Sequence, residues 1–143
     1  MILMNWVRNN DGSFTAFQVH THRAKLARFI QGQLIAHMQT IYCHEMAALA
    51  LYQALAARAT HQVRRDILLR LAKQEGMQLA RRADVLGRLQ APIPGCIGHW
   101  GQIRQRVLVW LGPRFALAWI KAVKRGDIRR QIELTRQLKS LSE

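Results

Sequence analysis

The chain has 143 residues and 16.5 kDa, with 22 Lys and Arg against 8 Asp and Glu, a formal charge of +14. Half of it is hydrophobic and only 7% aromatic, with three prolines, nine glycines and two cysteines. That apolar content builds one core and excludes a disordered basic tail, while two cysteines exclude a disulfide framework. A pI near 11.5 predicts attraction to polyanions without choosing among nucleic acid, an anionic membrane and an acidic protein.

Residues 1–20 read as an irregular lead-in. Met1-Ile2-Leu3-Met4 is too short for a signal-peptide core, Asn10-Asp11-Gly12-Ser13 is a turn signal, and Phe14 and Phe17 are placed to dock the segment. Residues 21–143 form one helical domain. From about Thr21 to Arg58 there is no proline and one glycine, which is strong helix composition. A second helix runs from about His61 to Leu89, with Thr60 as the expected N-cap, so the two form a long antiparallel hairpin. Ala91-Pro92-Ile93-Pro94-Gly95 makes the clear loop, and Gly98 and Gly101 keep the next stretch loose. A third helical piece covers about Ile103 to Leu111, Gly112-Pro113 breaks it, and a last one spans about Arg114 to Leu141 with a boundary at Gly126-Asp127. No strand is expected. The longest apolar stretch, Val107 to Val123, is interrupted by Gly112-Pro113-Arg114 and Lys121, short of the ~20 residues a spanning helix needs. Cys43 and Cys96 read as free thiols, which suits an intracellular, reducing location, on a membrane surface or in an organelle matrix.

The scarce acids fall where leucines belong. On the first helix Met38, Ile41, Glu45, Ala48, Tyr52 and Leu55 share one face, with Glu45 at its centre. On the second, Leu68, Ala72, Glu75, Leu79, Arg82, Leu86 and Leu89 do the same around Glu75. On the last, Ile120, Val123, Asp127, Leu134 and Leu138 follow one stripe. A buried carboxylate costs several kcal/mol, on the order of the ~1–5 measured for unpaired buried charges, unless it is paired or bound to a cation. Glu45 and Glu75 therefore admit three readings: exposed residues, buried acids neutralised by Arg82 or Arg130, or metal ligands. Asp127 after Gly126 also reads as an N-cap, and His37 and His44, one face apart by seven residues, as surface histidines.

Glu45-Met46-Ala47-Ala48-Leu49-Ala50-Leu51-Tyr52 resembles the Glu-x6-Tyr first-helix motif of ferritin-like carboxylate proteins, as in rubrerythrin-type domains and the demethoxyubiquinone hydroxylases. Glu75-Gly76-Met77-Gln78 resembles their second-helix Glu-x-x-His, and Leu111-Gly112-Pro113-Arg114-Phe115 through Asp127 their third helix, so that the likeness covers about Ile41 to Leu138. It implies an all-α ferritin-like bundle and a di-iron site with Glu45, Glu75 and Asp127 as ligands, Gln78 or His44 beside them, and Tyr52 and Arg82 behind. The departures are that Gln78 replaces histidine, Asp127 replaces glutamate, and the fourth helix with its own Glu-x-x-His is missing. An incomplete second half leaves an apolar face open, which predicts a homodimer or a larger assembly.

Two surfaces are candidates for partners. Arg64, Arg65, Arg81, Lys124, Arg125, Arg129 and Arg130 have almost no acids to offset them and suit a polyanion such as RNA. Specific reading of DNA is not expected, since no helix-turn-helix or zinc-finger pattern stands out. Trp100, Trp110 and Trp119, with Arg104, Arg106 and Arg114, suit a membrane interface or a protein partner. The sequence thus points first to a degenerate, non-catalytic ferritin-like protein acting as a basic accessory subunit of a larger assembly or membrane complex. A di-iron oxidoreductase completed by dimerisation, acting as a quinone-hydroxylase-like monooxygenase, and an RNA-binding component are the alternatives.

Overall fold

The computed structural model describes residues 7–8, 14–15, 17–96 and 98–142, with side-chain surroundings from residue 22 onward except at 97, 99, 100 and 142. It is all-α in class. Four helices follow one another: α1 (Phe17–Arg58), α2 (Gln62–Arg88), α3 (His99–Leu111) and α4 (Pro113–Ser142). The lead-in is shorter than its sequence suggests, since α1 begins at Phe17. It also carries a minimal antiparallel ladder of β1 (Val7–Arg8) and β2 (Phe14–Thr15), with Val7 opposite Thr15. The turn at 10–13 and the docking of Phe14 and Phe17 lie outside the described residues and side chains.

α1 has 42 residues and, at 1.5 Å per residue, is roughly 60 Å long. It turns into α2 over three residues, where the sequence placed its cap one position early. The N-cap is His61, in extended conformation and without a side-chain cap bond, and the Arg65 amide donates to its carbonyl at 3.0 Å. The Arg65 guanidinium holds the turn by donating to the Ala59 carbonyl at 2.8 Å. α2 ends as Gln90 takes a left-handed φ of +54° and the Ala91 amide reaches back to the Leu86 carbonyl at 2.9 Å.

α3 starts at His99, so Gly101 is helical rather than loose. The break comes at Gly112, whose φ of +102° suits glycine and leaves Pro113 to open α4 at the position where its missing N–H costs nothing. α4 then runs unbroken through Gly126-Asp127, which corrects the expected boundary there. Asp127 is no N-cap, because its carboxylate is engaged elsewhere.

α1 is the spine. It packs along α2 and α4, while short α3 bridges α4 and the C-terminal part of α1. The core sits at that junction, with Ala48, Leu51, Tyr52, Leu55 and Ala56 of α1 against Leu68 and Ala72 of α2 and Ala116 and Ile120 of α4. The sequence stripes are these buried faces, except that Leu89, the C-cap of α2, stands 49% exposed where the helix has already ended. Outside them, Val63, Ile67 and Met77 of α2 and Ile128 and Ile132 of α4 stand exposed.

One expectation is overturned outright. Cys43 and Cys96 form a disulfide across 53 residues, with Cα atoms 5.0 Å apart. The loop after α2 doubles back along α1, and Gln39 fastens it further by donating to the Pro92 carbonyl at 2.9 Å. The free-thiol reading, and the support it lent to a reducing compartment, are withdrawn. Among the described residues, no helix is long and apolar enough to cross a membrane.

Candidate functional site

The hairpin explains why the two acids meet. Glu45 lies thirteen residues before the end of α1 at Arg58, and Glu75 thirteen residues after the start of α2 at Gln62, so antiparallel packing sets them at one height. Both are buried, at 5% and 3% exposure. Each is met by a cation of the chain itself. Arg82 donates from Nη2 to Glu45 Oε1 at 2.9 Å, and the Lys124 ammonium of α4 bonds Glu75 Oε1. Of the two counter-charges foreseen for Glu45, Arg82 is the partner, and Arg130 stays exposed.

Lys124 is a correction. It reads as a free surface base, yet it sits four residues beyond Ile120 and three before Asp127, which puts it on the inward stripe of α4. That spacing was the available signal. The second oxygens of both carboxylates, Glu45 Oε2 and Glu75 Oε2, and Arg82 Nε are buried without hydrogen-bond partners. Burial pushes the Tyr52 phenol above its ordinary value of 10.0, and the negative charge of Glu75 pushes it further the same way.

A third polar cluster closes the arrangement. His44 Nδ1 lies 2.9 Å and 3.0 Å from the two Asp127 carboxylate oxygens, and His37 Nε2 lies 2.9 Å from the Asp127 backbone carbonyl. Both histidines are therefore committed to α4 rather than free on the surface. His44, Asp127, Glu45, Arg82 and Lys124, together with Gln78 and Trp119, line a cavity of about 240 Å³ between α1, α2 and α4. Its apolar walls come from Ile41, Ala48, Ile120 and Val123.

The di-iron site that the resemblance implies needs about four carboxylates and two motif histidines projecting inward. The residues present do not fit it. Gln78 offers an amide where the motif has imidazole, a guanidinium and an ammonium hold the carboxylate oxygens, and the described residues contain no group of three or more His, Cys, Asp or Glu close enough to share an ion. Glu45, Asp127, His44 and Gln78 thus line one cavity, with Glu75 reaching it only through its partner Lys124, and the buried acids are held by cations of the chain itself.

The tryptophans separate. Trp110 is 78% exposed, whereas Trp119 is half-buried, lines the cavity and carries the Arg104 guanidinium 4.8 Å from its ring centroid. Trp119 is therefore a wall and not a surface anchor, and the Trp100 side chain lies outside the described ones. Arg64, Arg81, Arg106, Arg114, Arg125 and Arg129 are exposed as expected. No family model, no curated protein and no solved structure matches the chain.

Proposed function

We propose that this chain is a degenerate, non-catalytic ferritin-like bundle that serves as a basic accessory subunit, joining a larger assembly through its surface. The single observation that carries this reading is the pair of cations on the inward acids. Arg82 on Glu45 and Lys124 on Glu75 supply the positive charge that a metal supplies in a carboxylate-bridged site. A metal ion entering here must displace a guanidinium and an ammonium from their carboxylates. What remains for function is the exterior, where 22 bases face only 8 acids and several of those acids are turned inward.

The second reading, a di-iron oxidoreductase completed by another chain, draws on Glu45 Oε2 and Glu75 Oε2, which keep an unused oxygen each. Metal analysis separates the two. Protein purified from iron-replete cells is expected to hold well under one iron per chain, unchanged in Glu75→Ala. About two irons per site, lost in Glu75→Ala, would establish the oxidoreductase instead.

A further inference from the structure

Helix α3 is amphipathic the wrong way round for a core element. On a helical projection Ile103, Val107, Trp110 and Leu111 form one stripe at spacings of four, three and one, and all four are exposed, from 40% at Ile103 to 78% at Trp110. Leu108 and Val109, on the opposite side, are the residues that pack against the core. The stripe is bordered by Arg106 on one side and Arg104 on the other, both exposed. Past the Gly112 bend, at the start of α4, Phe115 is likewise exposed, at 57%, beside exposed Arg114. An open groove of about 760 Å³ between this stripe and the end of α1 adds Arg58 and Arg106 to the same side.

The charge around this face is one-sided. No acidic residue falls between Asp84 and Asp127, a stretch in which Lys and Arg occur seven times. Two copies of the face brought together would oppose arginine to arginine with no acid between them, which disfavours a self-complementary dimer here. Base stacking would use Trp110 and Phe115 but leave Ile103, Val107 and Leu111 without a role, since aliphatic side chains do not stack on nucleobases. A bilayer interface uses both sets of groups at once. Aliphatic and aromatic side chains enter the boundary between headgroups and acyl chains, and flanking arginines meet lipid phosphates.

We infer that the α3 face, together with Phe115, docks this protein on an anionic phospholipid bilayer. The inference deepens the reading of the chain as an interaction subunit, and it uses none of the residues around Glu45 and Glu75. α3 and the first turn of α4 lie in the plane of the interface with Trp110 and Phe115 inserted, while α2 and the rest of α1 and α4 stay in water.

Cosedimentation of the full chain with vesicles tests this, using phosphatidylcholine mixed with phosphatidylglycerol and phosphatidylcholine alone. Binding is expected to the anionic vesicles, weaker by about tenfold or more on the neutral ones, and reduced by added salt. Trp110→Ser with Phe115→Ser should lower affinity by about tenfold or more, and Arg106→Gln with Arg114→Gln by roughly twenty-five-fold, at about fivefold for each charge lost near the surface. All four residues are exposed, so the fold is expected to survive, and circular dichroism checks it. Trp110→Phe should still bind but lose the blue shift of tryptophan emission on vesicle addition. Folded protein that ignores anionic vesicles, or binds them equally after Trp110→Ser and Phe115→Ser, overturns the inference. So does protection of Trp110 by a second copy or by single-stranded RNA in place of lipid. Iron content measured on the same sample keeps the questions apart, because bound iron contradicts the non-catalytic reading without touching the vesicle result.

Discussion

Glu45 and Arg82 illustrate how one residue decides the reading of its neighbours. An acid at 5% exposure is tolerable only while its charge is met, and the guanidinium 2.9 Å away meets it. Arg82→Ala should therefore destabilise the fold by about 2–4 kcal/mol in urea denaturation, because it strands a buried carboxylate, part of whose partner's charge is already screened by water. Glu45→Leu with Arg82→Met should recover most of that loss, since an apolar pair of similar volume removes the charge instead of stranding it. Tyr52 supplies a pH test. Its folded-state pKa is raised, so the neutral phenol favours the fold fully below pH 10.0, and this contribution is lost as pH rises through the raised value. Between those limits the unfolded chain has given up the proton that the native one retains. Tyr52→Phe should flatten the fall in stability of the native protein above pH 10, measured by thermal melting against pH.

Among the elements, the long hairpin was legible in the sequence because composition and period agree over many turns. Ile41, Ala48, Tyr52 and Leu55 mark the inner face of α1, and Leu68, Ala72 and Leu86 that of α2, with an acid in the middle of each. The smaller features were not, for identifiable reasons. Thr60 is a better capping residue than His61, but the tight turn held by Arg65 placed the cap one residue on. Gly126 reads as a breaker, yet a single glycine costs only about 1 kcal/mol in a helix that is packed against α1 and held by His37 and His44 at Asp127. The disulfide was hidden because spacing along the chain says nothing of a loop that doubles back, and only the path of residues 89–96 brings Cys96 to Cys43. Reducing it, or Cys43→Ser with Cys96→Ser, should cost about 3–4 kcal/mol of stability for a 53-residue closure, read by chemical denaturation.

For the molecule as a whole, the excess of 22 bases over 8 acids acquires a direction. Glu45 and Glu75 are met inside by Arg82 and Lys124, and Asp127 by a hydrogen bond with His44, which leaves an exterior of arginines and, along α3, an apolar stripe between two of them. The proposed accessory role rests on this combination of inward acids met by cations of the chain and an exterior that is basic and in part apolar. Whether cations of the chain occupy the inward carboxylates is decided by a crystal structure of protein soaked in ferrous iron, with anomalous data at the iron edge. Arg82 Nη2 and Lys124 Nζ are expected within about 3 Å of the Glu45 and Glu75 carboxylates, with no anomalous peak between them. An iron peak at about 2 Å from those oxygens, with Arg82 and Lys124 swung away, would contradict that expectation.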